Sequence, residues 1–277
     1  MSTDVASDHP TTGRQPLSYT PRHTPSGRLT GMVAIVTGAG SGVGAETARV
    51  FHAEGAHVVL NGLTVAPIET IASELGDRVS LAPGDVTDVA YLRRLVDSTA
   101  SVADGRIDVL VNNAGATIRG TIDETVPENF DSAIEVNLKS AVQLIRLVVP
   151  SMRAARRGSI INMASITSLQ GLSGAVAYTA SKAGLTGVTR AIAVELAPFD
   201  IRVNAVCPGV IDTPMTHVHA DSMPDPTGHY MELKGRQPMN RLASARDCAL
   251  TALFLASDDS SFITGAAIPV DGGRHAT

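Results

Sequence analysis

Short apolar segments alternate along this chain with longer segments whose apolar residues recur every three or four positions. The short segments predict β-strands at residues 32–37, 57–60, 79–81, 108–111, 159–163, 202–206 and 267–270. The longer segments predict α-helices at residues 45–54, 67–75, 89–102, 129–136, 138–153, 177–196 and 245–256. Strands that are apolar throughout are typical of parallel sheets covered on both faces. The pattern therefore predicts an α/β fold, a single doubly wound parallel sheet with helices on both faces.

Two stretches depart from this alternation. Residues 1–27 are rich in proline, serine, threonine and histidine and contain few aliphatic residues, so they cannot bury enough apolar surface to offset the entropy of ordering. We expect a flexible N-terminal arm there and one folded domain over residues 28–277. Residues 208–240 combine prolines, methionines and histidines without a clear period, which predicts a long loop.

Composition narrows the class of protein. Apolar residues make up 44% of the chain, enough for a large core, and the net charge of −5 gives no electrostatic footprint for nucleic acid. No apolar run is long enough to span a membrane or to form a secretory signal, so we expect a cytoplasmic protein without a membrane partner. His217 and His219 lack a carboxylate or cysteine at metal-ligand spacing, so we expect no metal.

A glycine-rich turn joins the first strand to the first helix. Gly38, Gly42 and Gly44 lie in this turn, and a turn without side chains lets a pyrophosphate approach the backbone closely. The N–H groups and the dipole at the start of the helix then stabilise the negative charge. Because the turn stands between a predicted strand and a predicted helix, it indicates a dinucleotide cofactor, NAD or NADP.

Tyr178 and Lys182 are four residues apart on a predicted helix and therefore share one of its faces. Ser165 follows the fifth predicted strand, at the sheet edge where doubly wound proteins bind their ligands. Hydride transfer to a carbonyl creates an alkoxide, which needs a proton donor beside it. A phenol with a pKa near 10 can serve if a neighbouring ammonium lowers that pKa. The pattern favours acid/base catalysis by Tyr178.

These motifs together resemble the short-chain dehydrogenase/reductase family over residues 31–273. The glycine turn has the spacing TGxxxGxG, Tyr178 and Lys182 match YxxxK, and Ser165 lies thirteen residues before the tyrosine. Residues 112–115 (NNAG), the Pro208-Gly209 pair and residues 270–273 (VDGG) also match, in order. The resemblance implies a Rossmann-like fold and an enzyme that moves a hydride between NAD(P) and a secondary alcohol or ketone.

The resemblance also implies roles for individual residues. Tyr178 would transfer the proton, Ser165 would hydrogen-bond the substrate oxygen, Lys182 would lower the tyrosine pKa and hold the nicotinamide ribose, and Asn137 would support a water next to Lys182. The cofactor-binding residues implied are Gly38, Ser41, Gly42, Val43, Gly44, Asn61, Gly62, Leu63, Asp85, Val86, Asn113, Ala114, Gly115, Tyr178, Lys182, Pro208, Gly209, Val210, Ile211 and Thr213. A homotetramer or homodimer is implied as well, with residues 138–153 and 177–196 packed across the interface.

The choice between NAD and NADP depends on the end of the second strand. An acid there would accept a hydrogen bond from the 2′-hydroxyl of NAD, whereas an arginine would neutralise the 2′-phosphate of NADP. This chain has Gly62 and Leu63 at those positions, and Ser41 is also neutral. An unpaired phosphate dianion costs more free energy than an unpaired hydroxyl, so the sequence favours NAD.

The substrate is less well indicated than the reaction. We expect a small alcohol or carbonyl compound, covered in this family by the segment at 208–240. Arg119 follows the fourth strand and could meet an anionic substrate, as in the sugar-acid dehydrogenases that this region resembles. A 3-oxoacyl reductase or a broad carbonyl reductase fits the same framework. A dinucleotide sensor without catalysis is the alternative from another class, disfavoured by the intact serine, tyrosine and lysine.

Overall fold

The computed structural model describes residues 24–102 and 104–277, apart from the side chains of Met215 and His219. Its strands are β1 (Val33–Val36), β2 (His57–Gly62), β3 (Val79–Pro83), β4 (Val109–Asn112), β5 (Gly158–Met163), β6 (Ile201–Pro208), β7 (Ile211–Asp212), β8 (Ala243–Ser244) and β9 (Ala267–Val270). Seven of them form one parallel sheet in the order β3-β2-β1-β4-β5-β6-β9, and β7 pairs with β8 beside it. The seven strands of the main sheet are the seven that the sequence predicts.

Helices cover both faces of the main sheet. They are α1 (Gly42–Ala53), α2 (Val65–Leu75), α3 (Val89–Ser101), α4 (Pro127–Ile134), α5 (Ser140–Ala155), α6 (Val176–Leu196), α7 (Pro214–Asp221), α8 (Pro226–Gly235) and α9 (Ala245–Ala256). Side chains of a strand alternate between faces. Ala34 and Val36 accordingly join a core with α1, α2 and α9, whereas Val33 and Ile35 join a core with α3, α5 and α6. The predicted doubly wound fold is confirmed.

The strand order creates a crevice between β1 and β4. The chain builds outwards from β1 through β2 to β3 and then returns to place β4 on the other side of β1. Where the direction of building reverses, the loops after neighbouring strands separate, and ligands bind in the crevice outside the carboxyl ends of the strands. The glycine turn follows β1 and residues 113–115 follow β4, so both motifs border this crevice.

The region from 129 to 153 differs from its prediction as two helices. α4 and α5 run into one another through a π-helix at Glu135–Lys139, which contains Asn137. A π-turn inserts an extra residue without breaking the helix and re-aims the side chains next to it. The polar residues at 137 and 139 interrupt the apolar period, which is why the sequence pattern predicts that one helix ends and another begins here. In the structure the helix continues, and only its pitch changes.

The stretch at 208–240 also differs from the loop that was predicted. α7 and α8 occupy much of it, and each begins at a proline, the residue whose fixed φ suits the first helical position. The side chain of Asp225 accepts a hydrogen bond from the N–H of Gly228 and caps α8. Leu233 is the one buried residue of α8. The helix therefore lacks the repeating apolar positions from which a helix can be predicted in a sequence.

Residues 1–23 of the predicted arm at 1–27 lie outside the described residues. At the start of the described chain, the N–H of Ser26 and the N–H of Arg28 both donate to the buried carboxylate of Glu54. Within residues 24–102 and 104–277, no helix combines the length and the apolar composition needed to cross a bilayer.

Candidate active site

The glycine turn after β1 leaves the start of α1 accessible to an anion. Gly38 and Gly42 have φ values of +63° and +54°, where a side chain would be strained. A Cβ on Gly44 would lie 2.1 Å from the carbonyl oxygen of Gly38, so only glycine allows the turn to close this tightly. Ser41 is the exposed N-cap of α1, and the first turn of that helix contains no acidic residue. No carboxylate of α1 therefore competes for the positive end of the helix.

The ends of β1 and β4 are tied together by Thr37 and Asn113. The Thr37 hydroxyl oxygen accepts hydrogen bonds from the N–H groups of Asn113 and Ala114, both at 2.9 Å. The side-chain amide of Asn113 donates to the carbonyl oxygens of Thr37 and Gly38. Asn113 thus faces the turn and fixes its shape. The sequence pattern did not predict Thr37 as a site residue. The signal that could have identified it is a hydroxyl residue directly before the glycine turn.

The segment after β6 reaches the glycine turn from the other side. The N–H of Gly209 donates to Val270, the carbonyl of Val210 accepts from Ala243, and Ile211 pairs with Ala243 in the small sheet. These bonds carry Thr213 to Gly42, where its methyl group would lie 3.5 Å from an added Cβ. The predicted nicotinamide segment, which begins at Pro208, therefore borders the crevice beside the phosphate-binding turn.

The rim after β2 and β3 is neutral apart from one carboxylate. Leu63 is 74% exposed at the end of β2, and the neighbouring Gly62 has no room for a side chain because a Cβ would lie 2.7 Å from Ile68. Asp85 is exposed, and one of its oxygens accepts from the N–H and the hydroxyl of Thr87. Val86 packs against the core on the α3 side.

Asn61 does not face this rim. Its side-chain amide is buried and donates to the carbonyls of Ala82 and Gly84 and to the hydroxyl oxygen of Tyr91. The side chain holds β2, β3 and α3 together. The main-chain carbonyl oxygen of Asn61 accepts a hydrogen bond from the N–H of Ala39 in the glycine turn. Any role of Asn61 toward a cofactor is thus through the main chain.

Ser165, Tyr178 and Lys182 meet at the end of β5. Ser165 is buried, accepts a hydrogen bond from the N–H of Thr167 and interacts with the hydroxyl of Tyr178. Lys182 lies one helical turn after Tyr178 on α6, with its ammonium 5.9 Å from the centroid of the phenol ring. That ammonium donates to the carbonyl oxygen of Met163, the last residue of β5, at 2.8 Å. The structure brings the predicted serine, tyrosine and lysine together.

Burial governs the pKa values of this group. Desolvation lowers the pKa of the Lys182 ammonium to about 8, because burial removes the water that would stabilise the charged form. Desolvation also raises the pKa of the Tyr178 phenol, and its hydrogen bond with Ser165 and the positive charge of Arg119 act in the opposite direction. The sequence led us to expect a low tyrosine pKa set by Lys182. In the structure the burial of the phenol outweighs the opposing effects of Ser165 and Arg119, and Arg119 is the cation involved.

Asn137 supports this group from the π-helix. Its amide accepts from the N–H of Ala116 and donates to the carbonyl of Ala116, at 2.8 and 2.9 Å. It also donates to the Ser181 hydroxyl oxygen, and that hydroxyl donates to the carbonyl of Tyr178. Neighbouring Gly115 must lack a side chain, since a Cβ would lie 2.8 Å from the Asn137 oxygen and 3.3 Å from the Lys182 nitrogen. Asn137 therefore connects the segment after β4 to the helix of the tyrosine.

The two cysteines and His217 lie outside this group and have plain structural roles. Cys207 and Cys248 are free and buried, and burial raises the pKa of Cys207 to about 11, so its thiol stays protonated. His217 pairs with the carboxylate of Asp212. Among the residues that the structure describes, no group of three histidine, cysteine or acidic side chains is placed to hold a metal ion.

A sequence profile described as Enoyl-(Acyl carrier protein) reductase matches residues 38–275, which include the glycine turn, Ser165, Tyr178 and Lys182. The chain belongs to the short-chain dehydrogenase/reductase family. Among its relatives is 3-oxoacyl-[acyl-carrier-protein] reductase FabG of Thermotoga maritima, 39% identical over 249 residues, which are 89% of this chain and 98% of that protein. Oxidoreductase UcpA of Escherichia coli K12 is also 39% identical, over 89% of this chain and 95% of its own length.

A solved structure of the same family agrees with the fold. Levodione reductase superposes with a TM-score of 0.86 at 30% sequence identity, covering 90% of this chain and all of its own. Because the relatives match nearly end to end, this short-chain dehydrogenase/reductase is an NAD(P)-dependent oxidoreductase, as the sequence predicts.

Proposed function

We propose that this enzyme transfers a hydride between NAD(P) and a secondary alcohol or ketone, with Tyr178 as the general acid and base. The observation that carries the proposal is the position of Ser165 directly after β5, beside the helix α6 on which the Lys182 ammonium lies 5.9 Å from the centroid of the Tyr178 ring and donates to Met163 at the end of β5. This group lies at the carboxyl edge of the sheet, where the glycine turn also lies, so a reacting carbon and a dinucleotide would share one crevice.

The turn fits a dinucleotide on its own geometry. The Gly38 carbonyl oxygen packs so closely on Gly44 that no Cβ fits between them. The first turn of α1 contains no acidic side chain. We propose that Gly38, Ser41, Gly42, Val43 and Gly44 hold the pyrophosphate. The residues at the end of β2, with Asp85 and Val86, would hold the adenosine, and the segments 113–115 and 208–213 the nicotinamide side. When bound, the nicotinamide supplies or accepts the hydride.

The side chains of the chain itself would handle the proton. Tyr178 would donate it to the substrate oxygen in reduction and remove it in oxidation, and Ser165 would hydrogen-bond the same oxygen. One N–H of the Lys182 ammonium is committed to Met163, which leaves two donors for a ribose hydroxyl and for water. Asn137 would hold the segment after β4 in place and support the water beside Lys182.

We propose NAD as the preferred cofactor. The exposed positions at the end of β2 are Leu63 and Thr64, and the exposed residue at the start of α1 is Ser41, so these positions offer no cation to a 2′-phosphate. The 2′-phosphate dianion of NADP would lose hydration on binding there without gaining a cation that compensates for the loss. The missing acid also weakens the contact with the 2′-hydroxyl, so the preference should be moderate.

The experiment that tests the reaction is an absorbance assay at 340 nm. Ketones and secondary alcohols of several classes, including 3-oxoacyl thioesters, sugar acids and cyclic ketones, are offered with NAD(H) and with NADP(H). We expect turnover with at least one class and a higher kcat/KM with NAD(H). The 3-oxoacyl class is included because the Thermotoga relative carries that name, and the cyclic ketones because levodione reductase does. Cofactor binding without turnover of any class would favour the dinucleotide sensor.

We further propose a homodimer or homotetramer in the cytoplasm. One face of α6 exposes the small residues Ala183, Gly187 and Ala191 together with Val194, which is 78% exposed. Small residues at helical spacing allow the close approach of a second helix, and the family packs helices of this region across its interface. The buried, free cysteines agree with a reducing compartment.

A further inference from the structure

Three arginines from distant parts of the chain interact electrostatically with one another, and one of them, Arg119, also interacts with Tyr178. Arg119 follows β4, Arg236 is the C-cap of α8, and Arg274 begins a short 3₁₀ helix after β9. None of them belongs to a motif that the proposed function uses. Their convergence is a property of the fold, since more than a hundred residues separate the first from the second.

Backbone contacts bring Arg119 to the start of α6. The N–H of Gly120 donates to the carbonyl of Gly174 at 3.0 Å, and Gly120 forms an isolated parallel bridge with Ala175. Tyr178 lies three residues beyond Ala175. The segment that carries Arg119 is thus fixed against the same helical turn that carries the acid/base group, and the guanidinium interacts electrostatically with the phenol.

The other two arginines are joined through the C-terminal turn. The N–H of Met239 donates to the carbonyl of Gly272 at 3.2 Å, and a Cβ on Gly273 would lie 3.5 Å from Pro238. The end of α8 and the turn before Arg274 therefore pack together. Gly209 fits against Gln237 and Asp271 in the same place, which links this pair of arginines to the proposed nicotinamide segment.

The positive charges in this cluster are incompletely compensated. Arg236 has a partner in Glu232 at 2.6 Å, but neither Arg119 nor Arg274 forms a salt bridge with any described residue. Asp271 interacts electrostatically with Arg274, but its carboxylate also accepts hydrogen bonds from the N–H groups of Gly273 and His275. Burial and the charge of Arg236 both lower the pKa of Arg119 and of Arg274. Partly buried like charges disfavour one another unless an anion joins them.

We infer that Arg119 and Arg274 bind a carboxylate of the substrate, on the same molecule whose alcohol or carbonyl carbon reacts beside Tyr178, and that Arg236 strengthens the field. The substrate class is then hydroxy acids and the corresponding oxo acids. A guanidinium presents parallel N–H donors that match the two oxygens of a carboxylate, which is why we choose a carboxylate over a phosphate. This inference rests on the proposed function and deepens it.

The test compares acids with neutral analogues of the same shape. We would measure kcat/KM for 3-oxobutanoate and 4-oxopentanoate against their methyl esters, and for gluconate against sorbitol, with glycerol 3-phosphate against glycerol as the phosphate arm. The wild type should prefer the acid of at least one carboxylate pair by about 10-fold or more. Arg119→Gln and Arg274→Gln should each lower kcat/KM for the acid far more than for its ester or polyol, so that most of the preference is lost. Arg93→Gln, on the exposed face of α3, is the matched control.

Binding provides a readout that does not need turnover. In a Tyr178→Phe background with cofactor present, adding Arg119→Gln should raise the dissociation constant of the acid about 10-fold or more, and Arg119→Lys should restore part of the affinity. Cofactor affinity should stay the same in all variants, and so should the thermal unfolding midpoint.

The outcomes separate this inference from the proposed function. Equal or better use of the neutral analogues, a preference for the phosphate, or an acid preference that survives both glutamine substitutions would overturn the carboxylate site while hydride transfer stands. A wild type that turns over nothing, with acid binding that ignores Arg119, would remove both. Acid preference that depends on Arg119 and Arg274 and is unaffected by Arg93→Gln supports the inference.

Discussion

The side-chain amide of Asn137 exchanges two hydrogen bonds with the main chain of Ala116, one to its carbonyl oxygen and one from its N–H. A side-chain amide can both accept from the N–H and donate to the carbonyl of one residue in this way. The π-turn at Glu135–Lys139 aims it there. The pairing fixes the segment after β4 to the helices next to Tyr178. The distance between the proposed cofactor side of the crevice and the acid/base group is thereby fixed.

Replacing Asn137 by alanine should therefore cost stability. The change removes both bonds to Ala116 and a third to Ser181 and leaves buried partners unsatisfied, for which we expect a loss of about 2–4 kcal/mol in the free energy of unfolding. Urea unfolding followed by circular dichroism measures it. Asn129→Ala, on the exposed side of α4, is the matched control and should stay within about 0.5 kcal/mol of wild type. Equal losses in the two variants would contradict the role given to Asn137.

Gly44→Ala should abolish cofactor binding. The added methyl group would lie 2.1 Å from the Gly38 carbonyl oxygen and 2.5 Å from the Asn113 amide, so the turn must open. We expect a destabilisation of roughly 2–4 kcal/mol and no measurable NADH fluorescence titration. Gly235→Ala, where nothing lies within 4 Å of the new methyl, should bind NADH as the wild type does. A Gly44→Ala protein with normal affinity would show that the turn does not hold the pyrophosphate.

Leu63→Arg should shift the preference toward NADP. Leu63 is 74% exposed at the end of β2, so an arginine there can reach a 2′-phosphate without disturbing the core. A charge-assisted pair of this kind should raise the NADP-to-NAD ratio of kcat/KM by about 10-fold or more. Leu63→Gln keeps the length without the charge and should leave the ratio near the wild-type value. If both variants behaved alike, the adenosine ribose would have to lie elsewhere.

Lys182→Met should stabilise the protein near neutral pH. Burial lowers the pKa of Lys182 from 10.5 in the unfolded chain to about 8, a difference that corresponds to about 3 kcal/mol against folding. Below pH 8 the lysine is protonated in both states and the whole penalty applies. Between pH 8 and 10.5 the unfolded state binds more protons, so the penalty fades as the pH rises.

Thermal unfolding at several pH values measures this effect. Because methionine also gives up the hydrogen bond to Met163, we expect Lys182→Met to unfold roughly 2–8 °C above the wild type at pH 7. The advantage should shrink toward pH 10. A difference independent of pH, or a variant less stable than wild type at pH 7, would mean that the ammonium is better solvated than its position suggests.

The sheet and its motifs could be predicted from the sequence because their signals are local. Every main-sheet strand is a short apolar run, and the glycine turn and the Tyr178–Lys182 pair follow from spacing within a single element. α7 and α8 could not be predicted, since neither helix carries an apolar stripe. The inward turn of Asn61 depends on Tyr91, thirty residues away, and no local pattern reports that contact.

The electrostatics of the site also needed the fold. The sequence places Lys182 beside Tyr178 but cannot tell how far the phenol is buried, and burial decides the direction of its pKa. Arg236 and Arg274 carry no motif at all. The segment after α8 packs on the turn after β9 and brings these two arginines together, a contact between segments far apart in the chain.

The most direct test of the account is Tyr178→Phe, which removes one oxygen and leaves the ring in place. We expect kcat for the best substrate found at 340 nm to fall by about a thousandfold or more, since general acid–base catalysis contributes about 10²–10⁴-fold. The NADH dissociation constant should change less than about twofold, because the phenol oxygen is not part of the phosphate turn. A variant that keeps a tenth or more of the wild-type kcat would contradict the assignment of Tyr178 as the proton donor and acceptor.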